Sequence, residues 1–134
     1  MLLEEIKTAL ESIDGSVSGS YSFNYAVPQV VTREMYMDEI HDFPTLMVTN
    51  QNIQFIQMSN NLRHKVYSCR IRGIVYGDVE AAEKLAQDIE YVLEHYNWSF
   101  EEVRLIRVET DAGLNAPFGA VIISFLVLDR SIYE

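Results

Sequence analysis

The chain has 134 residues, and its 20 acidic and 10 basic side chains give a formal charge of −10. One domain with an average-sized core is the expectation at this length. Three lysines and seven scattered arginines exclude a basic surface that wraps nucleic acid, and the single Cys69 excludes an intrachain disulfide and a cysteine-cluster zinc site.

The N-terminus, Met1-Leu2-Leu3-Glu4-Glu5-Ile6, carries neither the positive region nor the apolar run of a secretory signal. Leu3, Ile6, Leu10 and Ile13 recur at helical spacing opposite Glu4, Glu5, Lys7, Glu11 and Ser12. This predicts a short amphipathic helix that stops at Asp14-Gly15, with residues 16–20 as a small-residue loop. Tyr21 to Tyr25 alternates aromatic with polar side chains and predicts a half-buried strand.

Arg33 to Asp42 is acid-rich and aperiodic, and predicts an extended loop or arm that Phe43-Pro44 ends. Thr45 to Thr49 and Ile53 to Met58 read as strand pieces separated by a bend or bulge at Asn50-Gln51-Asn52. His64 to Tyr76 predicts a long strand. Tyr67, Cys69, Ile71, Gly73 and Val75 lie on one face, and Val66, Ser68, Arg70, Arg72, Ile74 and Tyr76 on the other.

Gly77-Asp78 opens the strongest helical pattern, with Asp78 as N-cap and a stripe from Val79 through Ala82, Leu85, Ala86, Ile89, Val92 and Leu93 to Tyr96. Its solvent side is expected to hold Glu80, Glu83, Lys84, Gln87, Asp88, Glu90 and Glu94, and Asn97 is expected to stop it. A strand over Val103 to Thr110 and a turn at Asp111-Ala112-Gly113-Leu114 follow. The closing strand, Ala120 to Arg130, is apolar at nearly every position and is expected to be central and covered on both faces. Its longest apolar run, residues 120–128, falls far short of the roughly 20 residues of a membrane helix. The whole order predicts an α+β domain with four to five strands and two helices on one face.

The chemistry-bearing residues give weak signals for catalysis. Asp38, Glu39, His41 and Asp42 have metal-ligand types but no ligand spacing, so a solvated acidic loop is preferred and no metal or cofactor is expected. Cys69 reads as a small core residue, since His64 points to the opposite face of the same strand. Gly15-Ser16-Val17-Ser18-Gly19 has valine where a nucleophile elbow needs serine. An enzyme is not indicated.

Contact residues are better represented. Arg70, Arg72 and Tyr76 share a face that the helices are expected to leave bare, either to dock a partner or to stand as solvated arginines. Met35, Tyr36 and Met37 lie together in the acidic arm, where they either contact a neighbouring subunit or fold back on their own domain.

Several features in register carry a family resemblance: a short helix with a Gly/Ser loop, Asp42-Phe43-Pro44 leading into a strand, a long strand–helix pair, and Asp111 to Leu114 before an apolar closing strand. In this order the chain resembles the tail terminator proteins of long-tailed bacteriophages, of the lambda-like siphophage type. The resemblance spans nearly the full chain as one domain, 1–134, with 33–42 as an arm. It implies an α+β fold with a mixed, mainly antiparallel sheet, no catalysis, and a homo-oligomeric ring, most simply of six subunits. Such a ring caps the tail tube, stops its elongation and joins tail to head. The implied partners are the tail tube protein and a head-completion or connector protein. DNA passes through the lumen without specific binding, and the location is the tail–neck region of a virion assembled in the host cytoplasm. The alternatives are another neck component or a small ferredoxin-like ligand-binding module with a pocket beside Cys69 and the loop at Gly73.

Overall fold

The computed structural model describes residues 2–36, 39–59, 62–111 and 118–132. Helix α1 spans Leu2–Leu10 and buries Ile6, Ala9 and Leu10 while Glu4 and Glu5 occupy its first turn, where carboxylates complement the helix dipole. It tapers through Ser12 and Ile13, whose N–H groups donate to the Ala9 and Leu10 carbonyls. The chain then reverses at Gly15, which takes the left-handed φ of +82° expected of it.

Most of the segment expected as a strand at 21–25 is loop. Only β1 (Val17–Ser18) and β2 (Tyr21–Ser22) pair, antiparallel, as a two-residue ladder. An unforeseen short strand, β3 (Gln29–Val31), runs parallel to β4 (Thr45–Ser59) over three residues. Strand β4 is continuous, with the register shift expected between Asn50 and Asn52. It is one strand because β5 (Leu62–Tyr76) partners it on both sides of the irregularity.

Gly77, at φ +140°, turns the chain into α2 (Val79–His95). The Asp78 carboxylate accepts from the Ala81 N–H at 3.2 Å, making the expected N-cap. The C-cap falls on Tyr96, one residue before the Asn97 expected to stop the helix. Strands β6 (Glu102–Asp111) and β7 (Phe118–Ile132) complete the chain.

The main sheet has the order β3-β4-β5-β7-β6, antiparallel at every step except β3/β4. Both helices pack on one face of it, so the α+β architecture and one-sided helix layer are as expected. Ile6, Leu10 and Ile13 belong there to one buried cluster with Leu85, Ile89, Ile71, Ile123 and Phe125, all fully or almost fully buried. Each such aliphatic side chain contributes about 2 kcal/mol by leaving water. Gly73 lets the layers close: a Cβ on it would lie 2.9 Å from Leu46 Cδ2 and Val121 Cγ1 and 3.0 Å from Leu85 Cδ2.

Two expectations about burial are corrected. Strand β7 is interior, with Val121, Ile123, Phe125 and Val127 fully covered on the helix side, while on the other face Ala120 is buried but Ile122, Ser124, Leu126 and Leu128 are half-buried. Asp88, expected on the solvent side of α2, is fully buried because the loop after β2 folds over it and donates to its carboxylate. Among the described residues no helix is long and apolar enough to cross a membrane.

Candidate functional site

The antiparallel register decides what the helix-free face presents. Side chains directly opposite one another share a face, and the pairing aligns Arg107, Ser124, Arg70 and Thr49 in one row. The next row is Glu109, Ile122, Arg72 and Met47, and the row on the other side is Arg104, Leu126, Ser68 and Asn52. Half-buried Ile122, Leu126 and Leu128 of β7 thus form an aliphatic spine with arginines on both flanks.

Arg104 and Arg107 were missed as members of this face. Alternation along β6 fails between them because the register shifts between Leu105 and Arg107. Ile106 is the extra residue, 55% exposed, and after it the strand's phase is reset so that Arg107 and Glu109 rejoin Glu102 and Arg104. The adjacent Arg and Glu residues in Glu102–Arg104 and Arg107–Glu109 were the available signal.

Among the described side chains, three of the four guanidinium groups on this face are engaged by the chain's own carboxylates. Arg104 meets Glu102 at 2.7 Å, Arg107 meets Glu109 at 2.6 Å, and Arg72 meets Glu34 at 3.4 Å. Among the described residues Arg70 has no ion pair, and it is exposed. It stands between Thr49 and Ser124 as the cation with the least competition from its own chain among the described side chains of this face.

The arm closes one end of the same face. Met35 and Ile40 are buried against Met47, Ile74 and Ala120, with Val31, Phe43 and Phe118 around them. Met35 N–H also donates to Met47 Sδ at 3.3 Å. Met35 therefore packs into its own domain. Tyr36 beside it is 80% exposed, and Met37 lies outside the described residues.

Glu39 holds this turn: its carboxylate accepts from the Tyr36 N–H at 3.0 Å and pairs with Arg33 at 3.2 Å. The Tyr36 hydrogen bond, with help from the Arg33 cation, keeps the Glu39 carboxyl below its usual range. Tyr76, at the rim, is exposed and packs edge-on to Phe118 at 5.6 Å, while Phe118 stacks on Phe43 at 5.0 Å. The residues singled out in sequence thus separate. Arg70, Arg72 and Tyr76 lie on one strand of the open face, Met35 lies beneath the arm, and Tyr36 on its outside.

The remaining candidates are structural. Cys69 is buried on the helix side, and burial alone pushes its thiol up to about 12, which keeps it protonated. Gly73 sits mid-strand in close contact with three side chains rather than in a loop beside a pocket. A cavity of about 430 Å³ lies elsewhere, between the 16–18 segment and the end of α2, lined by residues that include Ser12, Phe23, Tyr91 and His95. Among the described residues no three His, Cys, Asp or Glu side chains converge as a metal site; Asp38 of the acidic cluster lies outside them.

No family model and no curated protein matches this chain. Aliphatic side chains ringed by guanidinium groups bind by shape and by directed hydrogen bonds to carboxylates or carbonyls.

Proposed function

We propose that this chain is a structural protein of a phage neck, a tail terminator whose copies form a ring, most simply of six, on the end of the tail tube. The observation that carries this reading is the helix-free sheet face, where Ile122, Leu126 and Leu128 stay half-exposed between Arg70 and Arg72 on one side and Arg104 and Arg107 on the other. A sheet that packs helices on one side and keeps an arginine-flanked aliphatic spine on the other is suited to meeting a large, flat partner surface. The terminator role is also the one that the order of elements in the sequence resembles.

In this role the ring halts tube growth, offers its far side to a head-completion or connector protein, and lets DNA pass. Six copies carry six times −10, a formal charge of −60. Carboxylates that face the lumen repel the phosphate backbone and keep the passing genome from adhering.

Electron microscopy of the purified protein mixed with tail tubes tests the proposal. The expected image is a ring at one end of each tube, with no further tube subunits added when they are supplied in excess. Tubes that elongate normally and carry no ring would overturn it.

A further inference from the structure

The two outer edges of the main sheet are built differently. Strand β3 covers β4 only at Thr45, Leu46 and Met47. From Val48 to Ser59 the outer edge of β4 meets no other strand among the described residues. Natural sheets blunt such an edge with charges, proline or inward bulges, because its backbone donors and acceptors invite another strand. Strand β4 has register shifts against β5 between Asn50 and Asn52 and between Gln57 and Ser59, but it carries no charged side chain anywhere between Thr45 and Ser59, alone among the four long strands. Residues 51–55 are all exposed, and among them Ile53 is 46% exposed.

On the opposite edge, β6, four of the five charged residues are paired along the strand itself, Glu102 with Arg104 and Arg107 with Glu109. A strand laid beside it need not bring a counter-charge, so an uncharged strand fits. Between the two ion pairs this edge presents Ile106, also largely exposed. On a chain of formal charge −10, these are the two strand edges where a second copy approaches with the least repulsion.

We infer that the outer edge of β4 pairs with the outer edge of β6 in the next copy of this chain, continuing the sheet from subunit to subunit. Direction supports it. Three successive antiparallel steps, β4/β5, β5/β7 and β7/β6, leave β6 antiparallel to β4. A copy placed alongside without inversion therefore meets β4 in antiparallel register. The open stretch of β4 and the ten residues of β6 are similar in length. The contact is head-to-tail and uses both open edges at once, as closure of a cyclic ring requires. It rests on the ring proposed above and names the joint between its subunits.

The test uses the full chain under conditions where the wild type assembles, with oligomeric state read by native mass spectrometry. Ile53→Lys on β4 and Ile106→Glu on β6 each place a charge on an exposed edge position. Circular dichroism should match the wild type, and Gln54→Lys replaces Ile53→Lys if that fold is disturbed. Each variant alone should lose the ring. An equimolar mixture of Ile53→Lys and Ile106→Glu should regain it with alternating subunits, because every joint is then either wild-type or Lys–Glu. Rings formed by the single variants as by the wild type would overturn the joint and leave the ring standing. Loss with Ile53→Lys but not with Ile106→Glu would overturn it in favour of a two-fold β4–β4 contact. A wild type that never assembles, even on tail tubes, would sink the ring and the joint together.

Discussion

The Tyr21 hydroxyl donates to Asp88 Oδ1 at 2.6 Å, joining residues 67 positions apart. The same carboxylate accepts from the Asn24 N–H at 3.0 Å, the Tyr25 N–H at 3.0 Å and the Asn24 side-chain amide at 3.2 Å. One buried acid on α2 therefore satisfies two backbone donors of a loop that has almost no secondary structure of its own. Tyr21 also stacks on Tyr91 at 4.4 Å, and burial, followed by the hydrogen bond to Asp88, raises its own pKa. Asp88→Ala should cost about 3 kcal/mol, because it strands buried N–H groups, whereas Tyr21→Phe should cost only about 1 kcal/mol. Urea denaturation of the two variants checks the order; equal costs would show that the loop is held by its aromatic stacking instead.

The Cys69 thiol has a folded pKa raised by burial from its ordinary 9.0 to about 12. A group raised in this way supports folding fully below its unfolded pKa and loses that support as pH climbs towards the folded value. Stability should therefore decline from about pH 9 upward, and part of that slope should vanish in Cys69→Ala. At pH 8 the native thiol should resist a thiol reagent that labels the urea-unfolded chain at once. Rapid labelling of the native protein would contradict the burial.

Gly73→Ala should destabilise the domain by about 1–3 kcal/mol through overpacking. The new methyl would press on Leu46, Val121 and Leu85 from within van der Waals distance, and these come from two neighbouring strands and α2. Thermal melting measures the loss. Combining it with Leu85→Ala should give less than the sum of the two single effects, since one change makes room for the other.

Arg70→Ala should leave stability within about 0.5 kcal/mol of the wild type, as for surface positions generally, while weakening capture by tail tubes in co-sedimentation. Arg72→Ala additionally removes the 3.4 Å contact to Glu34, so its effect on stability should be the larger of the two. Capture unchanged by either substitution would remove the arginine face from the tube contact.

Assembly should depend on ionic strength. Subunits of formal charge −10 repel one another, and the screening length falls from about 30 Å at 0.01 M salt to about 10 Å at 0.1 M. Light scattering at fixed protein concentration should report larger species as salt is raised over this range. A flat response would remove charge as the brake on free subunits.

The elements with strong local periodicity are legible from residue spacing alone. The alternation of β5 correctly divides Tyr67, Cys69, Ile71, Gly73 and Val75 from Arg70, Arg72 and Tyr76, and the Asp78 cap and apolar stripe of α2 locate that helix to within a residue. The bulge in β4 is readable from its Asn-Gln-Asn interruption. These features depend on residues a few positions apart, where backbone geometry converts sequence spacing directly into direction.

Other features depend on partners distant in sequence. Asp88 has the local pattern of a solvent-facing acid, and only the arrival of residues 21–25 makes it a buried acceptor. The register shift before Arg107 changes which β6 side chains face outward, and β7 pairing decides it. Met35 becomes core where the arm lies across Ile74 and Ala120, a choice that its own neighbours in the chain do not encode. Hydrogen-bond satisfaction, strand register and apolar burial are each completed by groups dozens of residues away, so the chain's local order sets the pieces and their contact in three dimensions sets the faces.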